Sequence, residues 1–135
     1  MTENRPITTA EILAVGSELL VGETRDTNSG DLARELTDLG VEVTGIALLP
    51  DRLDDVASAV AAAARRADLV VTSGGLGPTP DDLTREAIAR VLGVVPSIDP
   101  GLERWLRDLW ASRGLPFPES NLKQAWLVPG AEALP

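Results

Sequence analysis

Short apolar runs alternate along the chain with stretches in which apolar residues recur every three or four positions. Residues 11–15, 41–49 and 68–72 are apolar runs bounded by glycine or polar residues, which is typical of buried strands. Residues 28–39, 53–66 and 83–91 have the helical spacing, and Gly40 and Gly93 stand where two of these helices should stop. This alternation predicts an α/β fold, a doubly wound and mostly parallel sheet with helices on both faces.

The pattern is weaker in the last third of the chain. Residues 99–112 and 119–126 are predicted to be helical, and Asp99 and Pro100 are suitable residues for the start of the first of them. The sequence stops where a further strand should begin, so we expect a chain truncated at its C-terminus. Residues 1–9 are polar and predicted to be a flexible tail, which leaves residues 10–135 as one domain.

Four aromatic residues fall in this last third: Trp105, Trp110, Phe117 and Trp126. Aromatic side chains are enriched at protein interfaces, which predicts self-association. They would serve equally well to pack the last helices against the sheet, and the sequence does not choose between the two interpretations.

Charge narrows the range of partners. The net charge is −9 and the Lys and Arg residues, 12 in all, are scattered, whereas binding to a nucleic acid or an anionic membrane needs clustered positive charge. No apolar stretch approaches the roughly 20 residues of a membrane span, and the N-terminus lacks the layout of a signal peptide. We therefore expect a cytoplasmic protein with a small-molecule partner, not a nucleic acid or a membrane.

Neither Cys nor His occurs in the sequence. Their absence excludes a thiol nucleophile, a Ser-His-Asp triad and the commonest zinc sites. Any chemistry must depend on carboxylates, hydroxyls, backbone N–H groups, Arg, Lys or a hard cation.

Acidic residues follow each of the three predicted strands, at the edge where ligands bind in open parallel sheets. Glu18 follows the first strand, Asp51 the second, and Asp82 closes the loop after the third. A Mg²⁺ ion takes carboxylate and phosphate oxygens as ligands, so these acids need not repel a bound phosphate. The sequence thus predicts a metal site formed by Glu18, Asp51 and Asp82.

Each of these acids also has a structural interpretation. Asp51 precedes a predicted helix and could cap it, Asp26 and Asn28 could cap the helix before that, and Glu18 could be an ordinary loop acid. The helix after the glycine loop could be capped by Thr79 or by Thr84. Only the second choice leaves Asp82 on the loop.

The loop itself, SGGLGPT at residues 73–79, matches neither the P-loop nor the dinucleotide-binding pattern. Its glycines allow the backbone to approach a ligand and to direct N–H groups at an anion. On residue types alone, a strained turn without a ligand is equally compatible with this composition.

Three stretches, GSELLVGETRDTN (16–28), TSGGLGPTPDDLTREA (72–87) and PESNLKQA (118–125), resemble the N-terminal domain of the CinA (competence/damage-inducible) family. That domain belongs to the wider group of molybdopterin-binding domains of the MoaB and MogA type. The family usually has Thr where this chain has Ser17. The resemblance also implies a homo-oligomer, a dimer or a trimer, and family members continue beyond this chain with further strands and commonly an amidohydrolase domain.

The resemblance implies Mg²⁺-dependent hydrolysis of a nucleoside diphosphate sugar, ADP-ribose to AMP and ribose 5-phosphate. Its alternative is a module that binds molybdopterin or a nucleotide without hydrolysing it. The catalytic and metal-binding roles would fall to Asp82, Asp51 and Glu18. The ligand-binding residues would be Ser17, Asp26, Thr27, Asn28, Ser73, Gly74, Gly75, Gly77, Thr79 and Asp81.

Overall fold

A three-stranded parallel sheet forms the centre of the protein. The computed structural model describes residues 4–134. The strands are β1 (Thr9–Val15), β2 (Glu42–Leu49) and β3 (Leu69–Ser73), in the spatial order β2-β1-β3. All three predicted strands are confirmed, and their parallel pairing places their carboxyl ends at one edge of the sheet.

Helices cover both faces of this sheet, as the sequence predicts. They are α1 (Ser17–Leu20), α2 (Asn28–Asp38), α3 (Leu53–Arg66) and α4 (Thr84–Leu92). Leu13 and Val15 of β1 pack in a core cluster with residues of α3 and α4, including Val56 and Ala87. Because side chains alternate along a strand, Ile12 and Ala14 point to the other face, where α2 contacts β1 and β2.

Three residues that the helical spacing places toward the sheet are exposed: Leu39, Ala64 in the last turn of α3, and Val91. Leu39 follows the last residue of α2 and is 78% exposed, and Val91 in the last turn of α4 is 37% exposed. All three lie where their helix ends, so the predicted inner faces are one turn too long.

The C-terminal part adds a smaller layer made of β4 (Ser97–Ile98), α5 (Pro100–Ser112), a 3₁₀ helix (Glu119–Ala125) and β5 (Trp126–Leu127). The two strands pair antiparallel. Asp99 caps α5 as predicted, since its Oδ1 accepts the Leu102 N–H at 2.8 Å. The second predicted helix is a 3₁₀ helix.

The aromatic residues of this layer differ in their surroundings. The rings of Trp110 and Phe117 pack edge to face at 6.2 Å, and the Lys123 ammonium lies 5.7 Å from the Trp126 ring. These three aromatic residues contact other residues of the same layer. Trp105 is 61% exposed, and self-association stays a prediction.

The predicted tail, residues 1–9, is too long. Its first three residues lie outside the described part, but Thr9 begins β1, and the N–H groups of Thr8 and Thr9 donate to Asp68 Oδ2 at 3.0 and 3.2 Å. These bonds fix the entry into the central strand. Within residues 4–134, every helix is too short or too polar to cross a bilayer.

Candidate ligand-binding rim

The carboxyl ends of β1 and β3 border a pocket of about 260 Å³, called the rim pocket below. Its walls come from the ends of these strands, from α1 and from the residues that lead into α2: Ala14, Val15, Glu18, Leu19, Thr24, Arg25, Asp26, Thr27, Asn28, Ser73 and Gly74. Six of the predicted site residues therefore share one pocket. They are Glu18, Asp26, Thr27, Asn28, Ser73 and Gly74.

The start of α2 forms one wall of the rim pocket. The Asn28 side-chain amide donates to the Ser73 hydroxyl at 3.4 Å and so links the helix to β3. Asp26 Oδ1 accepts the Ser29 N–H of the first turn at 3.1 Å, although the N-cap position of α2 belongs to Thr27. A helix N-terminus carries partial positive charge, so this wall favours an anion despite the acidic composition of the chain.

Glu18 forms part of the opposite wall. It lies in the short helix α1, and a Cβ added at Gly16 would lie 2.6 Å from Glu18 Oε1. The glycine therefore leaves the space into which this carboxylate folds. Glu18 is exposed at the edge of the pocket and lies in a helical turn, not on an irregular loop.

Ser17 and Asp51 bind each other and do not border the pocket. The Ser17 N–H donates to Asp51 Oδ2 at 3.0 Å, and the Asp51 N–H donates to the Ser17 hydroxyl at 3.0 Å. The N-cap position of α3 belongs to Arg52, which makes no side-chain cap. The capping interpretation for Asp51 is thus wrong for α3, because the carboxylate satisfies the first N–H of α1.

The glycines of the 73–79 loop are required by the protein's own contacts. Gly74 and Gly75 have φ values of 89° and 68°, and added Cβ atoms would lie 2.2 Å from the Val15 carbonyl oxygen and 2.1 Å from the Thr84 hydroxyl. Thr84 Oγ1 donates to the Gly74 carbonyl at 2.8 Å. The glycines allow the loop that leads from β3 to α4 to pass close to the end of β1 and the start of α4. Of the three glycines predicted to contact phosphate, only Gly74 borders the rim pocket.

Asp82 lies on the loop before α4, because this helix begins at Thr84. Its Oδ2 accepts the Thr79 N–H at 3.0 Å and the Thr79 hydroxyl at 2.7 Å, and a Cβ at Gly77 would lie 2.5 Å from the same oxygen. The hydrogen bond from the Thr79 hydroxyl lowers the pKa of Asp82, and burial opposes this shift. The N–H groups of Thr79 and Gly77 and the positive charge of Lys123 lower the pKa further. Asp82 is therefore a rigidly held carboxylate, while Asp81 beside it is exposed.

The predicted three-carboxylate metal site does not form. Among residues 4–134, no group of three or more Asp, Glu, His or Cys side chains is placed to hold a metal ion. Asp51 faces Ser17, Asp82 faces Thr79, and only Glu18 borders the rim pocket. Strand order brings the three loops to one edge, but local hydrogen bonds direct the carboxylates to different partners.

Three further residues belong to the site although the sequence did not single them out. Thr24 and Arg25 border the rim pocket, and Lys123 contacts the loop that carries Asp82. Arg25 stands inside the GSELLVGETRDTN stretch, and Lys123 is the single lysine of the chain and part of PESNLKQA. Their place inside stretches that resemble the CinA family was the sequence signal that could have identified Arg25 and Lys123.

Comparison with known sequences shows the family of the chain. A family model described as a probable molybdopterin binding domain matches residues 11–114. A CinA-like protein from Deinococcus deserti is 55% identical over 126 residues, which are 93% of this chain and 31% of the relative, and the Deinococcus radiodurans protein is 56% identical over the same share. The chain thus spans about a third of the length of these curated relatives.

Solved structures show the same fold. The CinA protein of unknown function from Thermoplasma acidophilum is 34% identical and superposes with a TM-score of 0.83, covering 90% of this chain and 71% of the other. MoaB from Thermus thermophilus, a molybdopterin biosynthesis enzyme, is 28% identical with a TM-score of 0.60 over 89% of this chain and 73% of its own. With the family model and a 34% identical structure both covering most of its length, the chain belongs to the family of probable molybdopterin-binding domains, as a domain of the CinA type.

Proposed function

We propose that this domain binds a phosphorylated small molecule in the rim pocket, either a pterin phosphate of the molybdopterin type or a nucleotide. The observation that carries the proposal is the convergence on one pocket of the N-terminus of α2, the Ser73 hydroxyl and the backbone of Gly74. Helix N-termini and glycine backbones are common phosphate-binding elements. The match to the molybdopterin-binding family model supports the pterin phosphate as the first candidate.

The size of the pocket limits what it can hold. Pockets for whole small-molecule ligands usually measure about 300–1,000 Å³. At about 260 Å³ the rim pocket suits a phosphate group and the part of the ligand attached to it. The rest of the ligand would extend along the rim, in the direction of the other loops at the carboxyl ends of the strands.

Charge in the pocket favours a metal ion as part of the bound complex. Glu18 and Asp26 both border it, and Arg25 is the cation among its lining residues. Mg²⁺ is usually held by one or two protein carboxylates together with phosphate oxygens. Glu18 and Asp26 would hold such an ion, which would neutralise the phosphate charge against the acidic wall.

Binding can be tested by titrating the 135-residue chain with ADP-ribose, with AMP and with a pterin phosphate, each with and without Mg²⁺. Ser73→Ala removes a hydroxyl of the pocket, and Ser58→Ala, on the exposed face of α3, is the matched control. Ser73→Ala should weaken binding of the preferred ligand by about 5- to 10-fold, the effect of losing one hydrogen bond of about 1 kcal/mol. Equal affinity in both variants would place the ligand elsewhere.

Hydrolysis of ADP-ribose to AMP and ribose 5-phosphate is the second candidate function. It is supported by the carboxylate of Asp82, which Thr79 holds in place and whose lowered pKa keeps it ionised. Asp82 lies outside the rim pocket, so the bound molecule would have to reach it from there.

Asp82→Asn keeps the shape and the acceptor for Thr79 but removes the charge. If Asp82 acts on the attacking water, turnover with Mg²⁺ should fall about 100-fold, which is about 2.7 kcal/mol of transition-state stabilisation. Unfolding free energy should change by less than about 1 kcal/mol. Asp108→Asn on exposed α5 is the control. Wild-type protein that forms no AMP would exclude hydrolysis by this chain and leave the binding function.

A further inference from the structure

Lys123 connects the C-terminal layer to the loop that carries Asp82. It lies in the 3₁₀ helix, and its side chain is only 12% exposed. Its Nζ donates to the Thr79 carbonyl at 2.9 Å and to the Asp82 carbonyl, and it forms an ion pair with Glu86 Oε1 at 3.0 Å. Two carbonyl oxygens accept N–H groups of this ammonium, and a carboxylate lies beside its charge.

The two carbonyl oxygens belong to the two ends of the turn from Thr79 to Asp82. The carboxylate oxygen of Glu86 belongs to α4, the helix that follows this turn. Within the turn, the Asp82 N–H donates to the Thr79 carbonyl at 3.1 Å, and the Asp82 carboxylate accepts from Thr79. Lys123 thus holds the two carbonyls of a turn whose carboxylate is already fixed by Thr79. It reaches this turn from a position 41 to 44 residues further along the chain.

The chemistry of the contact fits lysine better than other residues. Two carbonyl oxygens and a carboxylate oxygen converge on one point, which suits a compact ammonium charge. The planar fork of arginine cannot place one compact charge at that point, and an apolar side chain would leave the part-buried Asp82 carbonyl without a partner. Glu86 balances the positive charge from the first turn of α4.

We propose that Lys123 is a positioning residue: it orders the Thr79–Asp82 turn and thereby sets the position from which Asp82 acts on a bound phosphorylated ligand. The inference rests on the proposed function for its second half. Its first half, the ordering of the turn, is a property of the ligand-free protein.

The ordering is tested by amide hydrogen exchange on the ligand-free 135-residue chain. Lys123→Met keeps most of the side-chain length and removes the charge and the donors, whereas Glu86→Gln keeps Lys123 and its two carbonyl contacts. Exchange of the Thr79 and Asp82 amides should rise about 10-fold or more in Lys123→Met and by less than about 3-fold in Glu86→Gln. Lys123→Arg should lie between wild type and Lys123→Met. Unchanged exchange in Lys123→Met, or an equal rise at core amides such as that of Leu13, would overturn the proposal.

Kinetics with ADP-ribose and Mg²⁺ test the second half. Lys123→Met should lower kcat by about 10-fold or more with KM changed by less than about 3-fold, and Lys123→Arg should recover part of the loss. A loosened turn with unchanged kcat would refute the positioning role. If wild-type protein shows neither binding nor turnover, the proposed function fails, while the exchange measurement still decides whether Lys123 orders the turn.

Discussion

Asp51 and Asp82 occupy equivalent places in the fold, each after the carboxyl end of a strand, yet they are held in different ways. Asp51 exchanges two hydrogen bonds with Ser17 across neighbouring strands that are already joined by the Gly16 N–H and the Leu49 carbonyl, 2.9 Å apart. Asp82 is held within its own loop by Thr79 and from a distant segment by Lys123. Sheet pairing is enough to position Asp51, whereas Asp82 needs additional polar contacts.

This difference indicates which of the two aspartates can change position more easily. A residue fixed by sheet register moves only if strands move, and core strands are among the last elements of a protein to open. A loop held by side-chain contacts can be adjusted by one substitution or by a ligand. We therefore expect changes around Asp82 to alter function more than stability, and changes at the base of the glycine loop to alter stability most.

The largest expected effect is that of Gly74→Ala, which attacks the base of the glycine loop. The new Cβ would meet the Val15 carbonyl of the central strand at 2.2 Å, and the residue would have to adopt a φ of 89°. Neither backbone can yield easily, so we expect a loss of about 3 kcal/mol in unfolding free energy, measured by urea denaturation.

Gly30→Ala in α2 is the matched control, because its Cβ would meet nothing within 4 Å. It should be neutral or stabilising by up to about 1 kcal/mol, since alanine favours helices. If the two variants were equally stable, the close contact of the glycine loop with β1 would not exist in solution.

A smaller effect is expected from substitutions of Ser17 and Thr79, the residues that hydrogen-bond to Asp51 and Asp82. Ser17→Ala removes the hydroxyl that accepts the Asp51 N–H and should lower the unfolding free energy by about 1 kcal/mol or less, because the pair is exposed.

Thr79→Ala removes the hydroxyl that most lowers the pKa of Asp82, so that pKa should rise toward its ordinary value. Carboxyl chemical shifts followed by NMR during a pH titration measure this. An unchanged Asp82 pKa in Thr79→Ala would show that this hydroxyl does not hold the carboxylate.

The smallest effect concerns a third aspartate, Asp68, just before β3. Hydrogen bonds from the Thr8 N–H, the Thr8 hydroxyl and the Thr9 N–H lower the pKa of Asp68 from 3.8 to about 2. Because the pKa is lowered on folding, these bonds are fully formed above about pH 4 and are lost as the pH falls through about 2. The Thr8 and Thr9 amides should exchange faster over that range, and Asp68→Asn should show no such pH dependence. If acid did not speed the exchange of the Thr8 and Thr9 amides in the wild type, that result would contradict their contact with Asp68.

Much of the fold was predictable because it depends on local patterns. The apolar runs at residues 11–15, 41–49 and 68–72 became the sheet, and the helices between them lie within one or two residues of their predicted bounds. The sequence also predicted that the loops after the strands meet at one edge, since parallel strands share a carboxyl edge whatever their loops do, and ligand binding at that edge stays a prediction. The CinA-type motifs predicted the family.

The sequence by itself thus determined the order of strands and helices, the edge that the loops after the strands share and the family to which the domain belongs. Only the tertiary structure decided that Glu18 shares a pocket with Asp26 and not with Asp51 and Asp82, and that Lys123 supports the Asp82 turn. The physical reason is range. Strands and helices follow from the periodicity of neighbouring residues, but the partner of a carboxylate depends on where loops from distant segments run, and no periodic pattern records that.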